Sequence, residues 1–202
     1  MTDNNENYQK KLVSLEDAVA QIKSGDTIWM GSTLSIPSIF LDMLSDRYTE
    51  LNNVTLLGNT FINPSKMLTD PKYRNAFQVI SFHKDLQFIS PSGDSYNMDY
   101  IKKPSGSYTE TICDAFNVNV LVTEVCPPDE FGNCNLGTCG RDITPYINKH
   151  PSITKRIAVI NNLQHPSTYE GGPISIPLSD FDIVCECNHP IFGSNSVEQK
   201  SC

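Results

Sequence analysis

Six short apolar runs, each bounded by turn-forming residues, constrain this chain more than any other feature: Thr27–Met30, Val54–Leu57, Phe77–Phe82, Val118–Glu124, Arg156–Ile160 and Phe181–Cys185. Several are apolar at nearly every position rather than at alternate ones, which is the pattern of strands buried on both faces. Stretches of helical spacing lie between them. Ser14 is placed to cap a helix with Glu16 and Asp17 in its first turn, with Leu15, Ala18, Val19 and Ile22 as its apolar stripe and Gly25 as its stop. A second helix is expected from Ser38 to Tyr48, burying Ile39, Phe40, Met43 and Leu44, and a third around Ile143–Lys149. Residues 83–116, rich in Pro, Gly, Ser and Tyr, read as loops with an added hairpin. The expectation is an α/β domain over residues 10–192, an open, largely parallel sheet flanked by helices. A polar arm, 1–9, precedes it, and residues 193–202 form a tail or the start of a linker.

Charge and motifs exclude several functions. Fifteen Lys and Arg against 23 Asp and Glu give a net charge of -8. The basic pairs Lys10-Lys11, Lys102-Lys103 and Lys155-Arg156 are scattered, so neither nucleic acid nor an anionic membrane is an expected partner. The N-terminus lacks the apolar stretch of a secretory signal, and no apolar run approaches the roughly 18 residues of a membrane span. A cytoplasmic location follows as the expectation. Seven cysteines without a C-x-x-C pair read as free thiols, and no metal is expected. The four histidines are dispersed, and His150, His165 and His189 each precede proline, which suggests turn positions. Dinucleotide, phosphate-loop, serine-elbow and H-E-x-x-H signatures are absent, so no nucleotide cofactor is expected.

Three segments that follow strands have the composition of ligand loops. Gly31-Ser32-Thr33-Leu34-Ser35-Ile36-Pro37 combines small residues, which let backbone N–H groups approach a carboxylate or thioester oxygen, with hydroxyl donors. Gly58-Asn59-Thr60 is a shorter turn of the same kind. Val125 to Gly137 carries two prolines and two glycines, the means of shaping a small surface. Within it, Asp129 and Glu130 are adjacent and point apart into solvent more readily than they cooperate as an acid/base pair.

This third segment, with its Pro127-Pro128-Asp129-Glu130-Phe131-Gly132, resembles the P-P-D-E-x-G stretch of the acetyl-CoA hydrolase/transferase family, which includes 4-hydroxybutyrate and butyrate:acetate CoA-transferases. Tyr8–Val19, Ile22–Asp26, Trp29-Met30-Gly31 and Ser179–Glu186 are similar to the family's opening and closing segments, so the likeness runs over roughly residues 8–191. It implies an N-terminal half of the NagB/RpiA/CoA-transferase type, with coenzyme A or acyl-CoA and a short-chain carboxylate as substrates and a homo-oligomer as the assembly. It also implies a ping-pong reaction in which a glutamate attacks the acyl-CoA thioester and becomes a glutamyl-CoA thioester. By position in the likeness, Gly31, Ser32 and Thr33 line the acyl or carboxylate pocket, and Asn135 is a further substrate-binding candidate.

The same likeness puts the nucleophilic glutamate in a C-terminal half. No glutamate here stands in the expected glycine-rich context, and Glu124 and Glu186, which follow apolar strands, read as ordinary strand-end carboxylates. No catalytic residue is therefore expected in the chain, and a complementing half or subunit is. Two alternatives remain: a non-catalytic acyl-CoA- or carboxylate-binding or regulatory module, and a sugar-phosphate isomerase-like enzyme, which lacks its clustered basic phosphate ligands.

Overall fold

A computed structural model describes residues 8–61, 65–82, 97–102, 108–139, 144–168 and 174–191. The strands are β1 Leu12–Val13, β2 Thr27–Trp29, β3 Val54–Gly58, β4 Phe77–Ser81, β5 Met98–Tyr100, β6 Val120–Val125, β7 Asn133–Asn135, β8 Lys155–Ile160, β9 Ser175–Pro177 and β10 Ile183–Glu186. The helices are α1 Leu15–Ala20, α2 Ser38–Asp46, α3 Lys66–Thr69, α4 Tyr108–Phe116 and α5 Thr144–Asn148. Eight strands form one parallel sheet in the order β1-β10-β8-β6-β2-β3-β4-β5. The expected α/β architecture with a largely parallel sheet is the one observed.

The apolar runs divide by the period-two rule between the two faces of this sheet. Ile28, Leu56, Val120, Val122, Ile157, Val159 and Cys185 join α1 and α2 in one core. Trp29, Leu57, Leu121, Ala158, Ile160 and Val184 join α4 and α5 in the other. Every residue of β6 is buried, as a central strand covered on both faces must be. Ser14 caps α1 as expected, its Oγ accepting from Asp17 N at 3.0 Å. Helix α2 ends at Asp46 and buries Leu41 where Ile39 was expected, so its inward stripe is Phe40, Leu41 and Leu44.

Residues 83–116 depart most from expectation. Strand β5 lies at Met98–Tyr100 and extends the sheet edge in parallel, so no hairpin is made there among the described residues. Helix α4 occupies Tyr108–Phe116, where loops were expected. Ile112, Cys113 and Phe116 supply its apolar face at spacings of one, three and four, a short signal masked by the preceding turn-rich residues. Residues 83–96, 103–107 and 140–143, and with them the expected start of α5 at Ile143, lie outside the described residues, as do 1–7 and 192–202. Tyr8 is docked, its hydroxyl donating to Glu186.

Strand order reverses between β2 and β6: from β2 the sheet grows to β3, β4 and β5, and from β6 to β8 and β10. In an open α/β sheet the crevice beyond the carboxyl ends at such a reversal is where ligands bind. The turn after β2 and the end of β6 therefore meet at the position that the topology favours.

Candidate functional site

The turn after β2 begins at Gly31, whose φ of +89° is open to glycine at no cost. A Cβ there would lie 2.7 Å from Ser35 Oγ. That hydroxyl accepts from Ser32 N at 3.0 Å and donates to Ser32 O at 2.8 Å, closing the short 3-10 turn Thr33–Ser35. Thr33 has φ of +44°, an uncommon conformation for a β-branched residue. The turn after β3 braces it, with Asn59 N donating to Gly31 O at 3.0 Å and Thr33 N to Thr60 O at 2.9 Å. The two glycine turns read separately in the sequence thus form one interlocked backbone structure. Gly31, Ser32 and Thr33 sit together beside the reversal point.

Beneath this turn lies a carboxylate that is 1% exposed, Glu124 near the end of β6. Its Oε1 accepts from Asn161 Nδ2 and Gln164 Nε2, both at 3.0 Å. Its Oε2 lies 2.7 Å from His189 Nε2, a close ion pair whose ring N–H points off the line of a good hydrogen bond. The Glu124 carboxylate beside it holds the His189 imidazole above its ordinary value, partly opposed by burial. Gln164 Nε2 also donates to Leu34 O at 2.9 Å, and Asn161 Nδ2 to His189 O at 2.9 Å. A small cleft, of about 10 Å³ and so about the room of one water molecule, is bounded by Thr33, Leu34, Ser38, Glu124, His189 and Ile191.

A larger cavity of about 540 Å³ lies at the opposite end of the sheet, among Asn53, Arg74, Gln78, Asn97 and Asp99. It opens at the amino ends of β3, β4 and β5, and Asn97, its buried amide, is already bonded to Arg74 and to the Met67 and Asp70 carbonyls. Among the described residues no unpartnered buried side chain is directed into it. The carboxyl-end site is the one that topology and polar chemistry both favour.

Known proteins share this fold. No protein-family model matches the chain. The chain is 25% identical over 188 residues to the butyryl-CoA:acetate CoA-transferase of Anaerostipes caccae, an alignment covering 92% of this chain and 41% of that protein. It is 26% identical to the succinyl-CoA:cyclohexane-1-carboxylate CoA transferase of Geobacter metallireducens, over 91% of this chain and 40% of that one. This chain is a CoA-transferase homologue. It spans about 40% of the length of these curated relatives, an extent that fits an N-terminal domain. In fold the homologue is similar to RipA from Yersinia pestis, with a TM-score of 0.77 and 20% identity over 94% of this chain and 45% of that one. The 4-hydroxybutyrate CoA-transferase of Porphyromonas gingivalis gives 0.67 and 20% over 93% and 42%. A chain of the decarboxylase AibA/AibB, solved as a point variant, gives 0.52 and 12%, and there the match covers 82% of the other chain.

The other candidates of this CoA-transferase homologue fall elsewhere. Asn135, on β7, directs both ends of its amide at backbone: Oδ1 accepts from Gly137 N and Ser167 N, and Nδ2 donates to Ser167 O. It ties two loops together and is not open toward the cleft. Asp129 accepts from Phe131 N and Asn133 N, and those bonds hold its carboxyl below the usual range, so it is a turn former. Cys113, Cys126, Cys134, Cys185 and Cys187 are free, and burial pushes Cys126 up to about 11 and Cys134 and Cys185 up to about 12, leaving thiols of little reactivity. Among the described residues no group of three or more His, Cys, Asp or Glu could hold a metal, and no helix is long and apolar enough to cross a membrane.

His189 and Gln164 are the residues that sequence reasoning missed. The proline after His189 pointed to a turn, but Cys187–Ile191 form none, and the segment that leaves β10 brings the ring beside Glu124. Gln164 had a structural clue in Gly137: its φ is +67°, and a Cβ there would come within 2.4–2.6 Å of the Gln164 side chain. Gly137→Ala should therefore destabilise the fold by about 1–2 kcal/mol from the left-handed backbone alone. Displacement of Gln164 adds to that cost, and urea denaturation measures it.

Proposed function

We propose that this chain is the N-terminal half of a CoA-transferase that moves CoA between an acyl-CoA and a short-chain carboxylate. In this reading it supplies pocket walls, with Gly31, Ser32 and Thr33 facing the substrate. The nucleophilic glutamate, which forms the glutamyl-CoA thioester, is contributed by a complementing C-terminal half or subunit. The engagement of this chain's own carboxylates is the observation that carries the proposal. Glu124 is held on Oε1 by two amides and on Oε2 by His189, and Glu186 is engaged by the Tyr8 hydroxyl. A nucleophile needs an oxygen free to reach the thioester carbon; Glu124 is 1% exposed and paired with His189, and Glu186 is tied through Oε1 to Tyr8. The pocket turn, by contrast, places the Ser32 hydroxyl at the mouth of the sheet, a donor suited to a carboxylate or to the oxyanion of acyl transfer.

The length relationship supports the same reading, since some 60% of each curated relative has no counterpart here. The fold also occurs as a chain of about this size in the decarboxylase structure. A cytoplasmic homo-oligomer acting on acetate and butyrate metabolism belongs to this proposal. The purified chain, supplied with butyryl-CoA and acetate, should give no acetyl-CoA, and adding the complementing half should restore turnover. Turnover by the chain alone, abolished by Glu124→Gln or Glu186→Gln, would overturn the assignment.

A further inference from the structure

Two segments at the mouth of the sheet are joined through one buried carboxylate. Glu124 Oε1 takes the Gln164 amide that also holds Leu34 O, and Oε2 meets the ring of His189 in the segment that leaves β10. We propose that Glu124 is a positioning residue: through Gln164 it fixes the backbone of the turn Gly31–Ser35, and through His189 it couples that turn to the exit segment at Cys187–Ile191. The proposal rests on the reading of Gly31–Ser35 as the substrate-facing turn, and it gives that turn a proton-dependent support.

The hydrogen-bonding chemistry favours a charged ring. His189 Nδ1 lies 3.2 Å from Pro190 O, and Nε2 lies 2.7 Å from Glu124 Oε2. The Pro190 carbonyl and an ionised carboxylate can only accept, and a neutral imidazole can donate to one of them at most. The imidazolium carries an N–H on each nitrogen and places its charge 2.7 Å from Glu124 Oε2. The Asn161 and Gln164 amides donate to the other oxygen of the same carboxyl.

When His189 loses its proton, the buried Glu124 carboxylate loses its counter-charge. The donor placed to respond is Gln164 Nε2, already shared between Glu124 Oε1 and Leu34 O. A shift of that amide is transmitted to the pocket turn through the Leu34 carbonyl. The other titratable groups near the pair are thiols and one carboxylate. Cys187 is pushed up by burial and by Glu124 and Glu16, and Cys126 is pushed up to about 11, by burial first and by Glu124 in addition. Glu186 is engaged with Tyr8. Among the described residues, no Lys or Arg forms an ion pair with Glu124, so His189 is its counter-charge.

The test is an NMR pH titration of the chain, following the His189 ring and the backbone amides of Ser32, Thr33 and Leu34. The ring and the three amides are expected to share one midpoint, above the ordinary imidazole value of about 6.5. Glu124→Gln should lower the ring midpoint and abolish the shared response. Gln164→Met should keep the raised ring midpoint while the amide response disappears, and His189→Gln should leave the turn flat with pH. Amides that stay flat in the wild type, or that still follow His189 in Gln164→Met, overturn the proposal. Should Glu124→Gln fail to fold, Gln164→Met decides alone. No CoA ligand enters the experiment, so its failure leaves the transferase reading standing, and a chain that titrates as expected but gives no turnover with any complementing half overturns that reading alone.

Discussion

Replacing Glu124 with leucine should destabilise the chain by about 3–5 kcal/mol at pH 5.5, the cost of breaking a buried ion pair by removing one partner. The loss falls mainly on His189. The two amides that Glu124 accepts keep second partners, Gln164 on Leu34 O and Asn161 on His189 O, so neither donor is orphaned by the substitution. The imidazolium has no second anion within reach among the described residues, and its side chain is only 13% exposed. It must either stay charged without a partner or give up its proton. The second route is easy above the ordinary imidazole value of about 6.5 and costly below it, so the effect of Glu124→Leu should shrink at pH 8.5.

The sign for the wild type follows from linkage. Bonding to Glu124 raises the folded His189 pKa above its unfolded value. The pair's contribution is then fully present below about pH 6.5 and is lost as pH rises through the raised folded value. Urea unfolding followed by the fluorescence of Trp29, the one tryptophan, gives these differences directly. The double variant Glu124→Leu/His189→Leu should recover much of the lost stability, because apolar replacement of a whole buried pair is often neutral. A single-variant loss that is the same at pH 5.5 and 8.5 would show that packing, not charge pairing, holds this part of the site.

The sequence made the sheet legible because its strands are buried on both faces, and such strands appear as nearly continuous apolar runs such as Val118-Asn119-Val120-Leu121-Val122. The Gly31 turn was legible too, because a glycine and two small hydroxyl residues directly after an apolar strand mark a tight, donor-rich change of direction. Helix α4 was hidden because, among the described side chains, its inward face rests on Ile112, Cys113 and Phe116, beyond a stretch rich in Pro, Gly and Ser. The polar network was hidden for a different reason. Glu124, Asn161, Gln164 and His189 lie up to 65 residues apart and meet only because β6, β8 and β10 are neighbours in the sheet. Each alone resembles a strand-end or turn residue. Strand order is what turns them into a site, and no local pattern encodes it.

Gly31→Val should have the larger functional effect, about a 100-fold loss of kcat/KM in the transferase reconstituted with its complementing half, as expected for reacting groups misplaced by about 1 Å. The position tolerates no branched side chain for two independent reasons. Its φ of +89° lies where β-branched residues are not accommodated, and a Cβ would stand 2.7 Å from Ser35 Oγ. Relief by rotating the backbone would break the Asn59 N to Gly31 O bond that braces the turn against β3. Relief by moving Ser35 would break both of its bonds to Ser32 and open the turn that presents Ser32 and Thr33. Either way the donors assigned to the substrate move, while the sheet and both apolar cores keep their contacts. Global stability should accordingly fall by far less than activity does. Gly31→Ala, with the same conformational strain and less bulk, should fall between wild type and valine. Full activity in Gly31→Val, with the protein folded, would remove the turn after β2 from the pocket and return the search for the substrate-facing wall to the loops after β3 and β6.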